Sequence, residues 1–206
     1  LYIETYGCQM NFNDTEIVSS IMKDSGWEVT QNVDEADAIL LNTCSVRENA
    51  ETRIFNRLKH FENKFKKRKD KSIVGVIGCM AERLHEHLLN LQHTVSVVIG
   101  PDEYRKLPQM LEQASSGNKG VAVKLSKVET YDDIAPLRTE GVSAWLSIMR
   151  GCNNFCAYCV VPYARGREIS RPAEEIISEV KNLVKKGYKE IILLGQNVNS
   201  YLYKSQ

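Results

Sequence analysis

Short apolar, β-prone segments alternate with amphipathic helical patterns along the first half of the chain. Residues 1–6, 38–43 and 72–77 have the composition of buried strands. A helical pattern follows each of them, with inward positions at Ile17, Val18, Ile21 and Met22, then at Ile54, Leu58 and Phe61 in a helix over residues 47–67, then at Leu84, Leu88 and Leu89. Strands that alternate with helices at this spacing predict an α/β fold with a doubly wound parallel sheet.

The second half of the chain continues the alternation after a break. A further strand is expected over residues 95–99, a helix over 102–114, a loop over 115–120, a linker over 129–142, strands over 144–149 and 190–194, and a helix over 172–186. The linker contains Asp132, Asp133, Pro136 and Gly141. The segments after it form the beginning of a second βαβ domain.

Three cysteines, Cys8, Cys44 and Cys79, each follow one of the first three strands. Because ligands bind outside the carboxyl ends of parallel strands, these residues are expected to converge on one site. Gly7 and Gly78 precede two of them and leave room for a close approach of the backbone. The alternative is that each cysteine is a small buried residue at a strand end. Three in the same relative position favour a three-cysteine metal site.

The other three cysteines form a C-x₃-C-x₂-C run at Cys152, Cys156 and Cys159. Three thiolates this close can hold three irons of a 4Fe–4S cluster and leave the fourth iron open to a substrate or cofactor. Gly151 and Pro162 favour a loop. The alternatives are one buried helix face of cysteines and part of a zinc site, but no histidine is near to complete the latter.

The composition indicates the cellular compartment of the protein but says little about its chemistry. The 206 residues carry a formal net charge of +1, so net charge indicates neither nucleic acid nor membrane. No apolar run approaches the ~20 residues that span a bilayer. Six cysteines without an export signal indicate free or metal-bound thiols in a reducing compartment, the cytoplasm or an organelle matrix. Leu1 in place of an initiator Met predicts a piece of a longer protein.

Two basic segments stand out locally. Residues 64–71 carry a run of Lys and Arg that is either a solvated helix end or a phosphate-contact patch for RNA. Arg165, Arg167 and Arg171 follow the C-x₃-C-x₂-C run and are predicted to bind substrate through a phosphate, a carboxylate or a planar base.

The C-x₃-C-x-aromatic-C pattern resembles the radical S-adenosylmethionine superfamily. The whole chain more narrowly resembles the methylthiotransferases within it, on the placing of Cys8, Cys44 and Cys79. The segments ETYGCQMN (residues 4–11), NTCSVRE (42–48), GCMAER (78–83) and GQNVNSY (195–201) are similar to the tRNA-modifying branch that makes 2-methylthio-N6-isopentenyladenosine.

The resemblance implies two 4Fe–4S clusters and S-adenosylmethionine as cofactors. Cys152, Cys156 and Cys159 would hold the radical-generating cluster, and Cys8, Cys44 and Cys79 an auxiliary cluster that carries sulfur. Tyr158 would lie against the adenine of the cofactor, and Gln196 or Asn197, at the carboxyl end of a barrel strand, is expected near it.

The implied domains are an N-terminal methylthiotransferase domain over residues 1–128, the linker over 129–142 and the start of a radical S-adenosylmethionine partial (β/α) barrel over 143–206. The family's C-terminal RNA-binding TRAM domain has no counterpart in this sequence. The implied reaction is insertion of a methylthio group at C2 of N6-isopentenyladenosine immediately 3′ of the anticodon.

The implied partners are a tRNA anticodon stem-loop, a flavodoxin- or ferredoxin-like electron donor and a sulfur source, for a monomer that contacts no membrane. One alternative is a sibling that modifies threonylcarbamoyladenosine in tRNA or a ribosomal-protein aspartate. An alternative of another class is a non-catalytic iron–sulfur or zinc module.

Overall fold

The N-terminal half is built on a five-stranded parallel sheet. The structure, a computed structural model, describes residues 1–45, 48–65, 72–91, 94–138 and 141–203. The strands are β1 (Tyr2–Thr5), β2 (Ala38–Thr43), β3 (Ile73–Gly78), β4 (Val95–Ile99) and β5 (Gly120–Ala122), and their order in the sheet follows their order in the chain. The predicted parallel α/β fold is confirmed. The three-residue β5 was missed because so short a segment carries no periodic pattern.

Four helices cover both faces of this sheet: α1 (Gln9–Asp24), α2 (Glu48–Phe65), α3 (Cys79–Leu91) and α4 (Leu107–Ser115). Side chains of β2 alternate between the two cores, so that Leu40 packs with α1 and α4 whereas Ile39 and Leu41 pack with α2 and α3. All six residues of β2 are buried, as expected for a central parallel strand.

Helices α1 and α2, which follow the neighbouring strands β1 and β2, lie on opposite faces of the sheet. The chain passes from β1 into α1 on one face and from β2 into α2 on the other. Open α/β sheets bind their ligands outside the carboxyl ends of the strands, where neighbouring strands send their helices to opposite faces, and the ends of β1 and β2 form such a place here.

The second half contains the predicted βαβ unit. Strand β6 (Ser143–Ser147) pairs in parallel with β9 (Glu190–Leu194), with α6 (Ala173–Lys185) between them in the chain. Strand β7 (Met149–Arg150) pairs antiparallel with β8 (Ile169–Ser170), and the short α5 (Val161–Ala164) lies between these two in sequence. Phe12 of α1 packs on Trp145 of β6, with ring centroids 5.3 Å apart, so the two halves are in contact.

The predicted linker packs against the N-terminal half. Tyr131 is buried, and its hydroxyl donates to Pro101 O (3.0 Å) and accepts from the backbone N–H of Tyr104 (3.0 Å). Of the basic run at 64–71, Lys64 pairs with Asp34 at 2.7 Å, and residues 66–71 lie outside the described part of the chain. Among the described helices, none is both long and apolar enough to cross a bilayer.

Candidate functional site

The structure brings Cys8, Cys44 and Cys79 to one edge of the sheet. Cys8 is the N-cap of α1, Cys44 directly follows β2, and Cys79 is the first residue of α3. The thiols of Cys8 and Cys44 are hydrogen-bonded to each other, and the charge of Cys8 acts on Cys79. Cys44 and Cys79 are buried while Cys8 is exposed, so the group has one open side.

Two glycines allow the cysteines to approach this closely. Gly7 has φ +143°, and a Cβ built on it would lie 2.7 Å from Cys44 Cβ. Gly78 has φ +91°, and a Cβ there would lie 2.6 Å from the backbone oxygen of Thr43. L side chains rarely adopt either backbone conformation, and neither position has room for a methyl group.

A pair of buried asparagines ties the loops that carry Cys8 and Cys44. Asn11 Nδ2 donates to Asn42 Oδ1 and to Thr43 O, both at 3.2 Å, and Asn42 Nδ2 donates back to Asn11 O at 2.7 Å. Asn11 Oδ1 also accepts from the backbone N–H of Cys8 at 3.4 Å. These residues lie inside the family-like segments, but the sequence alone did not single them out.

The surroundings at this edge of the sheet lower the pKa of Cys8 but raise that of Cys79. The hydrogen bond from Cys44, helped by the backbone N–H of Asn11 and the charge of Arg165, lowers the pKa of Cys8 to about 5 despite partial burial. Burial raises the pKa of Cys79, and Arg165 opposes that rise. Thiolate is the form that binds iron, so Cys8 is prepared for a metal and Cys79 depends on its cationic neighbour.

That neighbour comes from the second half of the chain. Arg165 Nε donates to Cys79 Sγ at 3.0 Å, and its Nη2 donates to Asp14 Oδ2 at 2.6 Å. Tyr104 Oη donates to the same carboxylate oxygen at 3.3 Å. The sequence predicted Arg165 as a substrate ligand, whereas the structure gives its guanidinium buried partners within the chain.

The C-x₃-C-x₂-C run forms a loop that joins β7 to α5. The prediction of a loop is confirmed, and the alternative of one helix face of cysteines is wrong, because residues 151–160 contain no helix. Cys152 is buried, Cys156 exposed and Cys159 half-buried, and the backbone N–H of Cys159 donates to Cys156 O at 2.9 Å. Phe155 has φ +46°, an uncommon conformation for a non-glycine residue that concentrates at functional sites.

Aromatic and cationic side chains surround the exposed side of this loop. Tyr158 is 93% exposed. The guanidinium carbon of Arg167 lies 4.8 Å from the centroid of the Phe155 ring, and the ring of Tyr163 meets Phe155 edge-on at 6.3 Å. The loop thus presents a π-surface and a cation beside Cys156.

All six cysteines are free thiols. Within the described ranges, no group of three or more Cys, His, Asp or Glu side chains has the arrangement for a single metal ion. Cysteines that bind three different irons of a cluster lie farther apart than ligands of one zinc ion, so a cluster does not need such a group. Two sets of three thiols, each set with an open side, fit two clusters that each keep one free iron.

The sequence is similar to known proteins over its whole length. Residues 1–100 match a family described as Uncharacterized protein family UPF0004, and residues 146–205 match the Radical SAM superfamily. The chain is 53% identical to the tRNA-2-methylthio-N(6)-dimethylallyladenosine synthase of Parabacteroides distasonis over 208 residues. Proteins of the same name from Porphyromonas gingivalis and Chloroherpeton thalassium are 55% and 57% identical over 208 and 201 residues.

The chain belongs to the methylthiotransferase family of radical S-adenosylmethionine enzymes. These alignments cover between 98% and 100% of this chain but only 44% to 45% of each relative, so the chain spans less than half of their length. Among solved structures, a radical S-adenosylmethionine methyltransferase from Kitasatospora setae aligns at a TM-score of 0.45 and 14% identity, over 97% of this chain and 48% of that one.

Family membership implies 4Fe–4S clusters and S-adenosylmethionine as cofactors. Of the remaining predicted site residues, Gln196 and Asn197 follow β9, and Gln196 Oε1 is buried with no hydrogen-bond partner among the described residues. Arg171 is buried, with Asp132 and Glu179 as ion-pair partners. Its predicted contact with substrate therefore gains no support from this geometry and stays a prediction.

Proposed function

We propose that this chain carries the cluster-binding part of a tRNA methylthiotransferase that inserts a methylthio group at C2 of N6-isopentenyladenosine next to the anticodon. The observation that carries the proposal is the contact between the segment that follows the C-x₃-C-x₂-C loop and the other cysteine set. Cys8, Cys44 and Cys79 converge at one sheet edge, and Arg165, which follows the C-x₃-C-x₂-C loop, contacts Cys79. A single reaction that needs both sets requires this kind of proximity. The relatives named above support the choice of reaction.

In this proposal the two sets divide the work. Cys152, Cys156 and Cys159 hold one 4Fe–4S cluster, and Cys8, Cys44 and Cys79 hold the other. When bound, the clusters and S-adenosylmethionine supply the electron, the radical chemistry and the sulfur. The chain's own part is to bind and orient these groups and to keep water from the buried ligands Cys44, Cys79 and Cys152.

Residues at the open side would contact the cofactor. Tyr158 is free to lie against an adenine, because nearly all of its surface is exposed. Gln196 Oε1, buried and without a described partner, would accept a hydrogen bond from an N–H or O–H of the cofactor. Asn197 follows it at the end of β9 and is assigned by position alone.

The RNA would approach the same side. Arg167 is exposed and stacks on Phe155, a combination that suits a base leaving its stack or a neighbouring phosphate.

We further propose that residues 1–128 and 143–206 form two domains joined by the linker 129–142. The proposed partners are a tRNA anticodon stem-loop as substrate, a flavodoxin- or ferredoxin-like electron donor and a separate sulfur source. We propose that the protein acts as a monomer in the cytoplasm.

Anaerobic reconstitution tests the two-cluster assignment. Wild-type protein should bind about eight irons and about eight sulfides per chain. Replacing Cys152, Cys156 and Cys159 by Ala should halve both numbers and abolish reductive cleavage of S-adenosylmethionine. Replacing Cys8, Cys44 and Cys79 by Ala should also halve them but leave that cleavage in place. Loss of all iron in either triple variant would contradict two independent sites.

The substrate is tested by comparing two RNAs. Reconstituted enzyme is incubated with isopentenylated and with threonylcarbamoylated tRNA, and methylthio nucleosides are measured by mass spectrometry. Product only from the isopentenylated RNA is expected. Product only from the threonylcarbamoylated RNA would assign the sibling reaction, and bound zinc without iron would indicate a non-catalytic module.

A further inference from the structure

A buried chain of polar side chains connects the two halves of the protein at Cys79. Tyr104 Oη and Arg165 Nη2 both donate to Asp14 Oδ2, at 3.3 Å and 2.6 Å, and Arg165 Nε donates to Cys79 Sγ at 3.0 Å. Tyr104, Asp14 and Cys79 belong to the N-terminal half, and Arg165 directly follows α5 of the second half. Through Arg165, the second half therefore contacts a cysteine of the first.

The burial of this arginine calls for an explanation. Only 3% of the Arg165 side chain and 1% of the Asp14 side chain are exposed, and Arg165 Nη1 has no hydrogen-bond partner among the described residues. Burying such a pair carries a large desolvation cost, which the attraction between the partners only partly offsets, so the ion pair is weak evidence for a role in stability.

The chemistry of the sulfur gives a more specific reason. A neutral thiol is a weak hydrogen-bond acceptor, whereas a thiolate accepts strongly from a cation. A guanidinium held 3.0 Å from Cys79 Sγ is thus matched to a thiolate, the form in which cysteine binds iron. Asp14 fixes the direction of the guanidinium, and Tyr104 fixes the carboxylate.

We propose that Arg165 is a positioning residue that donates to the sulfur of Cys79 when this cysteine is a cluster ligand, orients it, and raises the reduction potential of the cluster held by Cys8, Cys44 and Cys79. This inference rests on the proposed function. Hydrogen bonds and positive charge at the ligand sulfur stabilise the reduced, more negative cluster, and outer partners orient the ligands. The second half of the chain thereby tunes a site on the first.

The test isolates the auxiliary cluster and measures its potential. In protein that carries Cys152→Ala, Cys156→Ala and Cys159→Ala, only that cluster is retained, and its potential is read by redox titration with electron paramagnetic resonance. Arg165→Met should shift the potential to a more negative value, and Arg165→Lys should shift it less, because it keeps the charge but not the planar fork.

Arg138→Met is the matched control. Arg138 is also an arginine with a mostly covered side chain, 9% exposed, and it is paired with Glu16 and Glu179, but its described partners include no cysteine. It should leave the potential unchanged. An unchanged potential in Arg165→Met, or an equal shift in Arg138→Met, would overturn the inference while leaving the two-cluster function intact.

The iron content of the variants distinguishes the outcomes in which no potential can be measured. If Arg165→Met takes up no iron while Arg138→Met does, recovery of iron in Arg165→Lys supports the positioning role, and its failure assigns Arg165 to folding alone and overturns the inference. If the parent triple variant itself binds no cluster, the proposed function fails and the inference falls with it.

Discussion

The close approach at Gly78 permits a quantitative test of how the cysteine edge is built. Gly78 ends β3, directly before Cys79, with φ +91°. In Gly78→Ala the new Cβ would lie 2.6 Å from Thr43 O and 2.6 Å from Asn42 Oδ1. The first of these is a backbone atom of the neighbouring strand β2, so it cannot move without disturbing the sheet.

Two costs add in this variant. An L residue in the left-handed region costs about 1–2 kcal/mol, and overpacking against fixed atoms costs about 1–3 kcal/mol more. The free energy of unfolding should therefore fall by about 2–5 kcal/mol. Gly117→Ala is the control, because Gly117 has nearly the same φ of +88° and nothing within 4 Å of its Cβ position. It should lose only the first cost, about 1–2 kcal/mol.

Guanidinium chloride unfolding of the iron-free protein, followed by circular dichroism, measures both losses. The Gly78 variant should also bind less iron at the auxiliary site, because Cys79 must shift with its neighbour, and the Gly117 variant should bind the normal amount. Equal losses of stability in the two variants would refute the steric reasoning. Normal iron uptake in Gly78→Ala would show that the site tolerates a displaced Cys79.

Three further changes test other parts of the structure. Burial raises the pKa of Glu16 to about 7 from its usual 4.5. Between these two pH values the folded chain keeps a proton on Glu16 that the unfolded chain has lost. The free energy of unfolding therefore falls as the pH rises through this window. Glu16→Gln should therefore raise the free energy of unfolding by about 1–2 kcal/mol near pH 8 and hardly change it near pH 4, which urea titrations measure; an equal gain at both would contradict this origin. Asn42→Asp replaces the amide that donates to Asn11 O with an acceptor and should cost about 2–4 kcal/mol in the same assay, with partial recovery in acid. Tyr104→Phe removes a donor from Asp14 and should cost about 1–2 kcal/mol; no loss would mean that the hydroxyl leaves the carboxylate satisfied.

The two cysteine sites could be predicted from the sequence for different reasons. The C-x₃-C-x₂-C loop could be anticipated because its three cysteines lie close together in sequence. The convergence of Cys8, Cys44 and Cys79 needed one general rule, that parallel strands end at a common edge, and the structure bears out their approach.

Charged residues were predicted less well, because charge alone does not determine a partner. Arg165 and Arg171 were predicted to bind substrate, yet both guanidiniums are buried against carboxylates. Arg165 and Asp14 are 151 positions apart, and no local pattern relates them. Arg167, which lies between the two, is exposed and keeps its predicted availability.

By itself, the sequence determined the alternation of strands and helices, the parallel sheet, the two sets of cysteines and the family, because each depends on periodicity, short-range spacing or family-like segments along the chain. Only the tertiary structure decided that Arg165 donates to Cys79, that Asp14 and Tyr104 hold it there, and that Asn11 and Asn42 tie two of the cysteine loops. These contacts arise where the two halves and separate strand ends meet, and their energies depend on burial, which exists only after the chain has packed.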